Sequence, residues 1–294
     1  MSAEGASSSG VPEGSPVGAR TVPSGAPGPR FAFGANWGRF LEVVGEDRIG
    51  DAMESLRGLL GVSDLAGRRF LDIGCGSGLF SLAALRLGAR VHSFDYDPQS
   101  VACALELRRR FAPEDGEWRI EQGSALDAAY LRALGSFDVV YSWGVLHHTG
   151  ALWQALETAA LPVAPGGRLV VSLYNDQGIW SRYWLRVKRT YNGLPRLLRL
   201  PFALVFILGL EGRVALYALL TLRPMRYVRA WTQYRRNRGM SRWHDLLDWI
   251  GGYPFEVARP DEVFDFYRKR GFTLVGLKTC GGKLGCNEFV FEKK

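Results

Sequence analysis

The sequence predicts an α/β fold: a largely parallel sheet with crossover helices, closed by an antiparallel hairpin and interrupted by a long helical insertion. Three observations carry the prediction. Short apolar runs alternate with amphipathic stretches from Arg68 onward, a cluster of glycines separates the first run from its helix, and two β-rich runs joined by glycines end the chain.

Residues 1–30 stand apart from this pattern. Gly, Ser, Pro and Ala dominate there, with little large apolar surface to offset the entropy of ordering, so a disordered tail is expected. It lacks the apolar run of a signal peptide, and Glu4 and Glu13 do not suit a transit peptide. Residues 31–66 follow as an N-terminal helical lid. Its stretch FAFGANWGRF offers Phe31, Phe33, Trp37 and Phe40, which either fold over a site as a lid or pack as ordinary core. RRFLDI, ending at Ile73, reads as the first strand, and SGLFSLAALRLG as its helix. ARVHSFD, ending at Asp95, is the second strand, and PQSVACALELRRRF the next helix, with Pro98 in a first turn that tolerates it. WRIEQG, SFDVVYS and GGRLVVSLY give three more strands, with helices near 127–134 and 151–163 between them. After the insertion, DEVFDFYRKRG is a helix stopped by Gly271, and FTLVGLKT and CNEFVFEK form the terminal hairpin.

Composition narrows the function classes. At 294 residues and 47% hydrophobic, the chain can bury a substantial core. Cys75, Cys103, Cys280 and Cys286 show neither a disulfide framework nor metal spacing, so reduced thiols in the cytoplasm and no metal are expected. The net charge of +8 is local: Arg182 to Arg242 holds fourteen basic residues and one acid, Glu211.

The stretch LDIGCGSGLF places Gly74, Gly76 and Gly78 between a strand and a helix, where backbone and helix amides can approach a ligand closely. A nicotinamide-binding loop has similar glycines but a different spacing, an apolar residue where Asp72 stands, and no terminal hairpin. Asp95 ends the second strand, at the distance expected of a carboxylate that accepts hydrogen bonds from a ribose. On these residues, 68–174 with the hairpin at 272–292 resembles the class I S-adenosylmethionine (SAM) dependent methyltransferases. The resemblance implies a Rossmann-like seven-stranded sheet in the order 3-2-1-4-5-7-6, with SAM as cofactor. It also implies that Gly74, Gly76 and Gly78 wrap the methionine part of SAM, with Asp72 shaping the loop. Asp95 takes the ribose hydroxyls, Tyr96 lies against the adenine, and Ser124, Ala125 and Leu126 complete the adenine contacts. Trp143 and Gly144 lie beside the methionine end. The implied divisions are a SAM-binding core at 67–175, an insertion at 176–259, and a final helix and hairpin at 260–294.

Methyl transfer from a sulfonium needs an aligned nucleophile and a route for its proton. YSWGVLHHTG follows the fourth strand, at the carboxyl end of the sheet, and His147 and His148 are expected to open a helix there. Consecutive helical residues point about 100° apart, so at most one of the two faces the acceptor. VLHH is similar to the corresponding motif of ubiquinone-type O-methyltransferases, which favours His148 as the base; both histidines could instead cap the helix or touch SAM. Tyr174, Asn175 and Asp176, ending the fifth strand, either orient the acceptor or cap the following helix. With Trp37 they are the candidate substrate residues.

The insertion carries PFALVFILGLEGRVALYALLTL, Pro201 to Leu222, where Glu211 and Arg213 fall mid-segment and argue against a membrane span. A helical hairpin turning near Gly209 to Gly212 is expected instead. Residues 194–240 would then meet a second copy of the chain, the face of an anionic membrane, or a greasy acceptor. The leading expectation is methylation, at oxygen, of a small or lipid-like acceptor in a bacterial biosynthetic pathway, in the cytoplasm or peripheral to the inner membrane face. RNA or protein methylation and a non-catalytic SAM-binding partner are the alternatives; nucleic acid is not the expected partner, since no RNA-binding module is recognisable.

Overall fold

Burial on both faces of the central strands organises the structure, a computed structural model that describes residues 41, 44–113, 116–232, 242–282 and 285–294. One sheet contains β1 (Arg69–Ile73), β2 (Arg90–Asp95), β3 (Trp118–Gln122), β4 (Phe137–Trp143), β5 (Val163–Tyr174), β6 (Phe272–Lys278) and β7 (Cys286–Lys293). Its order is β3-β2-β1-β4-β5-β7-β6. β1 to β5 run parallel and β7 is antiparallel to both neighbours, as the alternating pattern and terminal hairpin predict.

Successive strand residues point to opposite faces, and the sequence supplies apolar side chains for both. Phe70, Val91, Val139, Tyr141 and Val170 face α1 (Glu46–Leu60), α2 (Leu79–Arg86) and α3 (Pro98–Phe111). Leu71, Phe94, Val140, Leu169 and Val171 face α4 (Ala128–Ala133), α5 (Leu152–Ala160) and a late helix at Pro260–Arg268. Helix α1 corrects part of the lid expectation. Its Ile49, Ala52, Leu56 and Leu60 are buried against α2, so this helix is a wall of the core. Phe31, Phe33, Trp37 and Phe40, like the tail at 1–30, lie outside the described residues.

The insertion comprises α6 (Ile179–Gly193), α7 (Arg196–Leu220), α8 (Pro224–Thr232) and α9 (Arg242–Gly251), after which Pro260–Arg268 is α10. It has its own apolar cluster, in which Trp184 and Val187 of α6, Ala203 and Ile207 of α7, Ile250 of α9 and Phe255 are buried. The predicted turn at Gly209 to Gly212 does not occur: α7 is one helix of 25 residues. Glycine in a helix costs roughly 1 kcal/mol but still supplies its backbone hydrogen bonds, so two glycines weaken a helix without ending it. The actual break falls at Leu194 and Pro195, where both residues are extended. Glu211, which argued for a surface turn, is buried: it accepts hydrogen bonds from Arg242 (2.8 Å), Trp231 Nε1 (2.9 Å) and the Tyr227 hydroxyl (3.1 Å).

Candidate active site

The carboxyl ends of β1, β2, β4 and β5 meet at one rim of the sheet, where an open parallel sheet keeps its ligands. After β1 the chain turns sharply through Gly74 and Gly78, with φ of 77° and 80°. A Cβ on Gly74 would stand 2.3 Å from the Val145 side chain, so only glycine allows the loop to pass so close to the end of β4. Gly76 donates its N–H to Asp95 Oδ2 at 2.9 Å, and Asp97 donates to Asp95 Oδ1 at 2.9 Å. Beneath the loop, Ser81 donates to Asp72 Oδ2 at 2.6 Å. Burial, reinforced by the nearby Asp95 carboxylate, pushes Asp72 up to about 7 despite the Ser81 bond. Burial likewise raises Asp95, against the backbone donors of Asp97 and Gly76.

Around these carboxylates stand Tyr96 and Trp143, both exposed, and Gly144, where a Cβ would meet open space. Gln122 holds the Tyr96 carbonyl at 3.0 Å, and Ser124 stabilises its own turn by accepting from Leu126 N at 3.2 Å. Ala125 accepts from Thr158 of α5. A ligand offering hydroxyl donors to Asp95, a flat ring to Tyr96 and positive charge near two carboxylates fits this donor set.

At the end of β4, His147 and His148 occupy a single 3-10 turn, Leu146–His148, rather than the start of a helix; α5 begins only at Leu152. His147 is buried with its ring 4.0 Å from the Tyr174 ring, and its Nδ1 accepts from Tyr174 N at 3.4 Å. His148 Nδ1 lies 2.6 Å from the Pro254 carbonyl. A carbonyl only accepts, so Nδ1 carries the proton and Nε2 is the basic nitrogen. Burial, aided by His148 and Lys188, drives His147 well below its ordinary range; burial also lowers His148 to about 4.

Sequence reading missed the groups that hold this pair. Lys188 is fully buried, donates to the Trp249 carbonyl, and sits 4.3 Å and 4.9 Å from the Trp249 and Phe255 ring centres. Glu256 accepts from Gly150 N (2.9 Å) and Leu152 N (3.0 Å), so it caps α5 from the loop after α9. No spacing in the sequence brings Lys188 to His147; the fold of the insertion does. Tyr174 packs between the histidines, Trp249 and Phe255. Asn175 accepts from Asn287 Nδ2 at 3.0 Å, and Asp176 accepts from Gly178 N at 2.8 Å, forming the turn into α6. Asp176 also lines a cleft of about 430 Å³ with Trp153, Arg182, Phe255 and Glu256.

The family described as a methyltransferase domain matches residues 71–171, which run from within β1 into β5 and include the glycine loop, Asp95 and both histidines. The core of this chain is a class I S-adenosylmethionine-dependent methyltransferase domain. Ubiquinone biosynthesis O-methyltransferase of Xanthomonas oryzae pv. oryzae is 36% identical over 112 residues, 38% of this chain and 45% of that protein. The tRNA U34 carboxymethyltransferase of Klebsiella pneumoniae is 37% identical over 122 residues, 40% of this chain and 34% of that protein. The chain therefore spans less than half the length of these curated relatives, and the likeness is to their methyltransferase cores. Among solved structures, PKMT2 from Rickettsia typhi superposes with a TM-score of 0.53 at 13% identity, over 92% of this chain and 55% of that one. An O-methyltransferase family protein from Burkholderia thailandensis gives 0.50 at 14% identity, over 85% and 56%. Such identities speak for the methyltransferase fold alone.

The buried histidines tie the stability of this methyltransferase core to pH. An unfolded histidine takes its proton near ~6.5, whereas His148 in the folded core resists protonation down to about 4. As pH falls between those values the unfolded state binds the extra proton, so stability is lost on acidification. Wild type is expected to lose up to about 1.4 kcal/mol per pH unit relative to His148→Gln between pH ~6.5 and ~5. Urea denaturation at each pH measures it; a constant difference would contradict the shifted histidine.

Proposed function

We propose that this chain transfers the methyl group of SAM to an oxygen of a small or lipid-like acceptor, in the cytoplasm, with His148 as the general base. The observation that carries the reading is the tautomer of His148. Its Nδ1–H is donated to the Pro254 carbonyl, which makes Nε2 the basic nitrogen. That is the arrangement of an oriented base.

In this reading Gly74, Gly76 and Gly78 cradle the methionine part of SAM and Asp95 accepts the ribose hydroxyls. Tyr96, Ser124, Ala125 and Leu126 border the adenine, with Trp143 and Gly144 at the methionine end. Bound SAM would supply an electrophilic methyl to the acceptor oxygen, its sulfur leaving with the S–C electron pair. His148 Nε2 takes the acceptor hydroxyl's proton and releases it to solvent. His147, buried beneath Tyr174, positions that ring rather than reacting. Tyr174, Trp249 and Phe255 give the acceptor pocket an aromatic wall that excludes water. Asp176 adds a polar group to the adjoining cleft, and Asn175 positions the hairpin.

Asp95→Ala is expected to weaken SAM binding about 10- to 100-fold, the effect of losing hydrogen bonds to a charged acceptor. Titration calorimetry measures it, and wild-type protein that bound no SAM would overturn the enzyme reading. A second reading, an RNA acceptor, draws on the basic window at 182–242 and on the tRNA-modifying relative. Labelled SAM offered with a bacterial lipid extract and with total RNA separates the two: label in RNA alone would replace the lipid-like acceptor.

A further inference from the structure

We propose that the outward face of α7, continued by the first turn of α6, docks flat on an anionic lipid bilayer. The helix has 25 residues, about 37 Å at ~1.5 Å per residue. Its inner stripe, Ala203, Ile207, Glu211 and Ala218, is buried at helical spacing against the rest of the insertion. Leu198, Val205, Leu208, Leu216 and Leu219 occupy the other side, with Val205 69% and Leu208 70% exposed. No polar side chain interrupts that row. Scattered exposed leucines are ordinary, but a row along about six turns of one helix is a binding surface.

Spanning is inconsistent with this geometry. The inner stripe is already occupied by protein, and Glu211 is held there by Arg242, Tyr227 and Trp231. The helix is therefore amphipathic in an unusual sense: protein on one side and an apolar outer face.

Charge selects the occupant. Arg196 and Arg223 mark the two ends of the helix, Arg213 lies along it, and all three are exposed. Glu211 is the single acid from residue 182 to residue 242, and it is buried and paired. A second copy packed on the same face by two-fold symmetry would bring these arginines together with no carboxylate between them. A bilayer with acidic headgroups instead takes the aliphatic row into its acyl boundary and the arginines at its phosphates. Trp180 and Tyr183, exposed on the first turns of α6, have the amphipathic rings suited to that boundary. α6 begins at Ile179, three residues after Asp176 in the turn that follows β5, so the apolar surface starts at the pocket rim. That a lipid-like acceptor would enter there from the membrane rests on the function proposed above; the docking surface itself does not.

The test is co-sedimentation of the full chain, without SAM or acceptor, with vesicles of phosphatidylglycerol mixed into phosphatidylcholine and with vesicles of phosphatidylcholine alone. Binding is expected to the mixed vesicles, to weaken with salt, and to be about tenfold weaker without the anionic lipid. The double variant Leu208→Glu/Leu216→Glu should lose binding about tenfold or more, with SAM affinity and circular dichroism unchanged. Arg213→Glu/Arg223→Glu, which leaves the aliphatic row intact, should remove the preference for anionic lipid. No binding to mixed vesicles at low salt, or equal binding by the Leu208/Leu216 variant, would overturn the proposal. So would light scattering that showed a dimer dissolved by that variant, or RNA binding lost with it, while vesicles stayed unbound.

Discussion

Replacing His148 with alanine is expected to lower the turnover of methyl transfer about 10²- to 10⁴-fold, the range for removing a positioned general base, while SAM affinity stays unchanged. The asymmetry follows from position. His148 stands at the end of β4 with Nδ1 on the Pro254 carbonyl, whereas the proposed SAM cradle lies at Gly74 to Gly78 and Asp95. A second readout separates this base from an ordinary histidine. Burial lowers His148 to about 4, so its neutral, proton-accepting form persists across the neutral range. The pH profile of kcat should stay flat from neutrality to about pH 5 and fall below that; an unperturbed histidine would bring the fall near ~6.5. His147→Ala should chiefly cost stability, because that ring is buried beneath Tyr174. Full activity in the His148 variant would refute the assignment.

How much of this was legible in the sequence depends on whether local pattern or tertiary contact decided each feature. The sheet was legible because parallel strands buried on both faces must be largely apolar, as FLDI and LVVSL are apart from Asp72 and Ser172, and because Gly74 and Gly78 mark a turn that other residues could not make. Asp95 was legible because strand length fixes its place at the rim. The candidate base was legible as a residue but not as a state. Its tautomer depends on Pro254, which the fold of the insertion brings over 106 residues of sequence. Helix α7 misled for a related reason. A charged residue in an apolar run suggests a turn or a surface when its partners cannot be seen, and the partners of Glu211 lie 16 to 31 residues further on.

Those partners give the second large effect. Glu211→Ala should destabilise the insertion by about 3–5 kcal/mol, because Arg242 would then be left largely enclosed without its carboxylate. The Arg242–Glu211 contact is two-pronged, with Nε and Nη2 both donating, and Trp231 and Tyr227 complete the carboxylate's shell. One acid thus fastens α7 to α8 and α9 at once, and removing it unfastens both. The sheet and its two flanking cores share no member of this network, so the loss should be local: the insertion should open to protease while the far-ultraviolet signal of the core and SAM binding survive. Limited proteolysis followed by mass mapping reads this directly, with new cuts expected between residues 194 and 232. Glu211→Gln, which keeps the shape but not the charge, should fall between wild type and alanine. A Glu211→Ala protein as protease-resistant as wild type would show that the three helices are held by their other contacts, and that the buried carboxylate is a passenger rather than the fastening.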